Sequence, residues 1–181
     1  MRIEKKIIYF KEPGPQNTDD TIEAVVDRLK EGDINQLVVA SDSGETALKL
    51  AKAVQGRQRI IVTSMKRLDR KFKAELERLG VTILESQVPS FRVESLVCAK
   101  RTYYTLGQGF KVAVEVVTMA AAKDVVNLYT DVIGIGGTDT GADTALVVKA
   151  SKPEDVFGGE IKKRLEVREI LAMPLQKTWW D

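Results

Sequence analysis

Gln36-Leu37-Val38-Val39-Ala40-Ser41-Asp42-Ser43-Gly44-Glu45-Thr46 is the stretch that decides the fold. A short apolar run ends in serine and glycine. From Glu45 to Val54, Ala47, Leu48, Leu50, Ala51 and Val54 then repeat with helical spacing, and Gly56 closes the pattern. A buried strand therefore runs directly into a helix, the unit from which parallel sheets are built.

The same alternation extends in both directions. Upstream, Lys6 to Phe10 reads as a short strand, and Glu12-Pro13-Gly14-Pro15 breaks it. A helix capped by Thr18 or Asp19 runs to about Glu31, with Ile22, Val25, Val26 and Leu29 on one face and Gly32 as its stop. Downstream come a strand from Arg59 to Thr63, a helix from Leu68 to Leu79, and a strand from Val81 to Leu84. The segment Glu85 to Val97, with Pro89, reads as a loop. A helix follows from near Leu106 to about Lys123, then a strand from Asp131 to Ile135, a loop to Asp143 and a strand from Thr144 to Lys149. Val167 to Met173 reads as a terminal edge strand before Pro174. The expectation is a three-layer α/β architecture, a mostly parallel sheet with helices on both faces, in a single domain spanning residues 1–181.

Composition narrows the chemistry. The formal net charge is +2, without the basic excess of a nucleic-acid binder. Cys98 is the lone cysteine, so no intrachain disulfide forms; its setting, Val97-Cys98-Ala99, predicts a buried, inert thiol. No apolar run has the length of a membrane span or of a signal-peptide core, and the cytoplasm is the expected compartment. The chain has no histidine. Triads built on histidine and imidazole-bound zinc are excluded, so acid–base chemistry falls to Asp, Glu, Lys, Tyr or Cys98.

Ligands of parallel sheets bind beyond the carboxyl ends of the strands, where the strand order switches. The loops after Ala40, Thr63 and Ile135 are therefore the candidate sites. In the first, Ser41, Asp42, Ser43, Gly44, Glu45 and Thr46 lead into a helix start. Its free N–H groups and three hydroxyls suit a phosphate, and Gly44 lets the backbone approach the ligand. The competing reading is an ordinary serine helix cap. The second candidate is Thr63 and Ser64. The third is Gly134 to Thr144, with four glycines, three threonines and two aspartates in eleven residues. That density favours a ligand loop formed by Gly136, Gly137, Thr138, Asp139, Thr140, Gly141 and Thr144 over a plain turn. Asp42, Asp139 and Asp143 are of the type that holds Mg²⁺ beside phosphate, but such residues more commonly sit in solvated turns, and no metal is expected. Neither G-x-x-x-x-G-K-[ST] nor a complete G-x-G-x-x-G is present.

Elsewhere, Lys66, Arg67, Arg70 and Lys71 read first as a solvated helix face, with Lys66 or Arg67 within reach of a nearby anion. Lys100-Arg101 with Tyr103-Tyr104 reads equally as an anion contact or a solvated helix start. Trp179-Trp180 is expected to dock on the domain or on a second subunit of a homo-oligomer.

From Thr18 to Lys149 the order of these pieces resembles the C-terminal α/β domain of pyruvate kinase, and the chain is similar to stand-alone archaeal-type proteins of that kind. The resemblance implies a phosphate held by Ser41, Ser43, Gly44 and Thr46, with Gly136 to Thr140 as a cover. It does not imply pyruvate kinase activity, because that enzyme's active site lies on a barrel domain for which this chain has no room. Ser-x-Ser-Gly-x-Thr also resembles the phosphate loop of flavodoxins, which implies flavin mononucleotide (FMN) as a specific ligand. Here, however, the loop follows the second strand, whereas flavodoxins use the first. Three functions follow as expectations: a binding module for a phosphate-bearing small molecule, FMN or another phosphorylated metabolite; a small flavin- or phosphate-dependent enzyme using Asp, Lys or Tyr in the same cleft; or a ligand-free oligomeric scaffold.

Overall fold

The continuous apolar runs become the central strands of one sheet. In the computed structural model, which describes residues 2–56 and 58–178, seven strands form it: β1 (Ile8–Phe10), β2 (Gln36–Ala40), β3 (Arg59–Thr63), β4 (Thr82–Leu84), β5 (Asp131–Gly136), β6 (Thr144–Lys149) and β7 (Glu166–Pro174). The spatial order is β1-β7-β6-β5-β2-β3-β4. Only β6 runs against the others, pairing antiparallel with both β5 and β7. The β1–β7, β5–β2, β2–β3 and β3–β4 pairs are parallel.

Helices α1 (Thr18–Leu29), α2 (Glu45–Val54), α3 (Arg70–Arg78), α4 (Val97–Tyr104) and α5 (Gln108–Ala122) complete the layers. Alternate strand residues face opposite cores. Leu37, Val39, Ile60, Val62, Ile133 and Ile135 pack with Val25, Leu50 and Leu76 from α1 to α3. Val38, Ile61, Val132, Leu146 and Val148 pack with Ala113, Val117 and Ala120 of α5 and Tyr103 of α4 on the other face. The chain is thus an α/β protein with a seven-stranded, mostly parallel sheet and helices on both faces. Among the described residues no helix is long and apolar enough to cross a membrane.

Three expectations change. The C-terminal strand is not an edge: β7 lies inside the sheet, because β1 covers its outer side through the pairs Ile8–Ala172, Tyr9–Met173 and Phe10–Pro174. The segment expected as a loop, Glu85 to Val97, holds two short 3-10 turns, and a helix not expected from the sequence, α4, follows it. Ala99 and Tyr103 fall at helical spacing within α4; Ala99 is buried, and Tyr103 lies against Phe91 and Phe110. Cys98 sits on the opposite side of that helix and is exposed, so the buried-thiol reading of its apolar neighbours fails. The docking expected for Trp179 and Trp180 lies outside the described residues.

α5 lies unusually close to β5. A β-carbon at Gly136 would stand 2.6 Å from both the Ala113 nitrogen and the Gly109 carbonyl oxygen, and one at Gly134 would run into the Ala113 carbonyl. Two of the glycines that mark this region are therefore required by helix–sheet packing.

Candidate functional site

β2 sits between β3, which follows it in sequence, and β5, reached only after the chain crosses to the opposite face. That arrangement is the topological switch point, and the loops beyond β2 and β5 diverge there. Between them lies a cleft of about 620 Å³, within the roughly 300–1,000 Å³ range of small-molecule sites. The first loop contributes Ser41, Asp42, Ser43 and Thr46; β3 and its loop add Thr63, Met65, Lys66 and Arg67; the glycine–threonine loop adds Gly137, Asp139, Thr140 and Gly141.

At the start of α2 the cap reading and the anion reading coexist. The Ser41 hydroxyl oxygen accepts from the Gly44 amide at 3.2 Å and the Ala47 amide at 3.4 Å, and the Ser43 hydroxyl oxygen accepts from the Glu45 amide at 3.2 Å. These bonds use lone pairs, so both hydroxyl protons remain free to donate. The amides of Asp42, Ser43 and Thr46 have no hydrogen-bond partner among the described residues. They and the helix dipole supply partial positive charge at the cleft mouth.

Not every residue singled out from the sequence faces the cleft. Gly44 adopts φ 99°, and a β-carbon there would stand 2.9 Å from the Phe72 β-carbon. Its lack of a side chain admits α3 rather than a ligand. Glu45 points to solvent from the first turn of α2. Ser64 is buried and donates to Asp42 at 2.9 Å, while the Met65 amide donates to the same carboxylate at 3.1 Å. Gly136 lies under α5. Thr138 and Thr144 are buried against Asp143, which accepts from the Thr138 amide (3.0 Å), the Thr144 hydroxyl (2.8 Å) and the Gly14 amide (3.1 Å). Asp143 is thus a buried anchor and not the solvated turn residue its setting predicts. Among the described residues no three His, Cys, Asp or Glu side chains cluster as metal ligands do.

The remaining wall comes from α5, which the loop-centred reading overlooked. Gln108, Lys111, Val112, Glu115, Val116 and Met119 line the cleft. Lys111 and Glu115 are both buried and pair at 2.9 Å, and Glu115 also accepts from the Phe91 amide at 2.9 Å. The Lys111 ammonium stands 5.6 Å from the Tyr104 ring centre. A lysine and a glutamate four residues apart inside an otherwise apolar helix were the available sequence signal: both fall on one face, and that face is buried. Burial also pushes the Tyr103 hydroxyl above its usual pKa.

The lining is close to charge balance, with Lys66, Arg67 and Lys111 against Asp42, Asp69, Glu115 and Asp139. Glu115 is tied to Lys111, whereas Arg67 has no ion-pair partner among the described residues. Attraction for an anion therefore rests on the α2 amides, the free hydroxyl protons, Lys66 and Arg67. A comparison with models of known protein families finds no match.

Proposed function

We propose that the protein binds a phosphate-bearing small molecule in this cleft, with FMN as the specific candidate. The observation that carries the reading is the convergence of the Ser41–Thr46 loop and the Gly137–Gly141 loop on one cavity at the switch point. Partnerless amides at the α2 start and the neighbouring hydroxyls suit a phosphate. Val112, Val116 and Met119 of α5 offer an apolar wall for a planar ring, and Met65 adds an apolar side chain from the β3 loop. The resemblance to the pyruvate kinase C-terminal domain belongs to this same reading, without that enzyme's activity.

Thermal unfolding in the presence of orthophosphate, FMN and riboflavin tests it. Ligand at about a hundred times its Kd raises stability by about 2.7 kcal/mol. Orthophosphate and FMN are expected to raise the midpoint; no rise with either rejects the reading. A yellow purified protein with flavin absorbance selects FMN.

A second reading, a small enzyme working in the same cleft, is favoured by the buried Lys111–Glu115 pair and by Asp139 at its rim. Loss of a turnover in Asp139→Asn with FMN affinity retained would select it.

A further inference from the structure

The cleft is lined by two residues with polar atoms that have no partner among the described residues. Thr63 Oγ1 and Gln108 Oε1 are buried, and neither takes part in a hydrogen bond among the described residues. Thr63 as a whole is only 2% exposed. Both residues line the cleft, Thr63 from the end of β3 and Gln108 from the first turn of α5. Two of the carboxylates on the same walls are committed: Glu115 to Lys111 and Phe91, and Asp42 to Ser64 and Met65.

Buried polar atoms are ordinarily satisfied, because an unpaired one keeps the full cost of its lost hydration. Two such atoms on one cavity are accounted for if a ligand completes them. Their chemistry limits that ligand. An amide oxygen only accepts, so Gln108 Oε1 requires an O–H or N–H from the ligand; the Thr63 hydroxyl donates one proton and accepts others. A fully ionised phosphate has no proton to give. On the α5 wall it would also meet Glu115, whose carboxylate already neutralises Lys111.

We propose that Thr63 and Gln108 form a subsite that reads the non-phosphate end of the ligand. It takes a neutral group bearing O–H or N–H donors and rejects a second phosphate. This rests on the phosphate reading of the Ser41–Thr46 loop. The ligand class is then a phosphate monoester with a hydroxyl- or N–H-bearing body, and the two residues determine specificity without holding the phosphate.

Calorimetric titration of wild type, Gln108→Met and Thr63→Val with orthophosphate, ribose 5-phosphate, pentyl phosphate and ribose 1,5-bisphosphate tests the subsite. Wild type is expected to bind ribose 5-phosphate about tenfold tighter than pentyl phosphate, and tighter than the bisphosphate. Either substitution is expected to bring the first ratio toward one while orthophosphate affinity stays the same. A ratio near one in wild type, a ratio unmoved by both substitutions, or preference for the bisphosphate overturns the proposal and leaves the phosphate reading standing. Failure of orthophosphate and pentyl phosphate to bind wild type overturns that reading and the subsite with it.

Discussion

Thr46 and Gly44 belong to one loop and carry different burdens. Thr46 lines the cleft in the first turn of α2, beside its own partnerless amide. Thr46→Val keeps its shape and removes a donor, so orthophosphate binding is expected to weaken by about 1–2 kcal/mol, read by titration. Gly44 faces α3 at φ 99°, with no room for a β-carbon beside Phe72. Gly44→Ala is expected to lower stability in urea unfolding by about 1–3 kcal/mol, with phosphate affinity of the folded protein unchanged. The sequence distinguished these two poorly, because glycine beside serine suits both a ligand and a packed turn. The side it faces depends on α3, more than twenty residues away. The orphaned Thr63 and Gln108 atoms were illegible for the same reason: an unmet hydrogen bond is a property of the assembled cavity.

Among the elements, the apolar strands and amphipathic helices were legible because each announces its own period: β2, β3, β5, α1, α2 and α5 lie close to their expected bounds. α4 was hidden because it spans only eight residues, too few turns for its period to stand out. The inner position of β7 was hidden because it depends on pairing with β1, from the opposite end of the chain. α5 carries the sharpest energetic test. Glu115→Gln keeps an acceptor for the Phe91 amide but leaves the Lys111 ammonium buried without its counter-charge. Its cost in chemical denaturation is expected to be about 3–5 kcal/mol.

Across the whole molecule, charge ties the flanks of the sheet to their helices. Near one side, the buried Arg28 guanidinium at the end of α1 joins Asp33 at 2.7 Å and Glu169 of β7 at 2.9 Å. Near the other, Glu85 after β4 accepts from Lys73 of α3 at 2.6 Å and from the Leu68 amide at 2.7 Å. The Arg28 contact holds the Asp33 carboxyl below its ordinary 3.8, and the Lys73 contact holds Glu85 below its ordinary 4.5. Carboxyls depressed in the folded state bind protons less readily than in the unfolded chain. Their stabilisation is complete above the ordinary values and is lost as pH falls through the folded ones. Acid titration is therefore expected to show constant stability above about pH 5 and a decline below about pH 4.5. Hydrogen exchange is expected to show the Leu68 amide losing protection early in that decline, while the β2–β5 centre holds. The close seating of α5 on β5 has a mechanical consequence. With backbone against backbone at Gly134 and Gly136, the helix and strand move as one stiff plate, and the Gln108–Glu115 wall is carried with them. Compliance around a captured molecule is then expected from the exposed Met65–Arg67 stretch on the far lip: one jaw of the cleft is an anvil, and the other is made of long, exposed side chains.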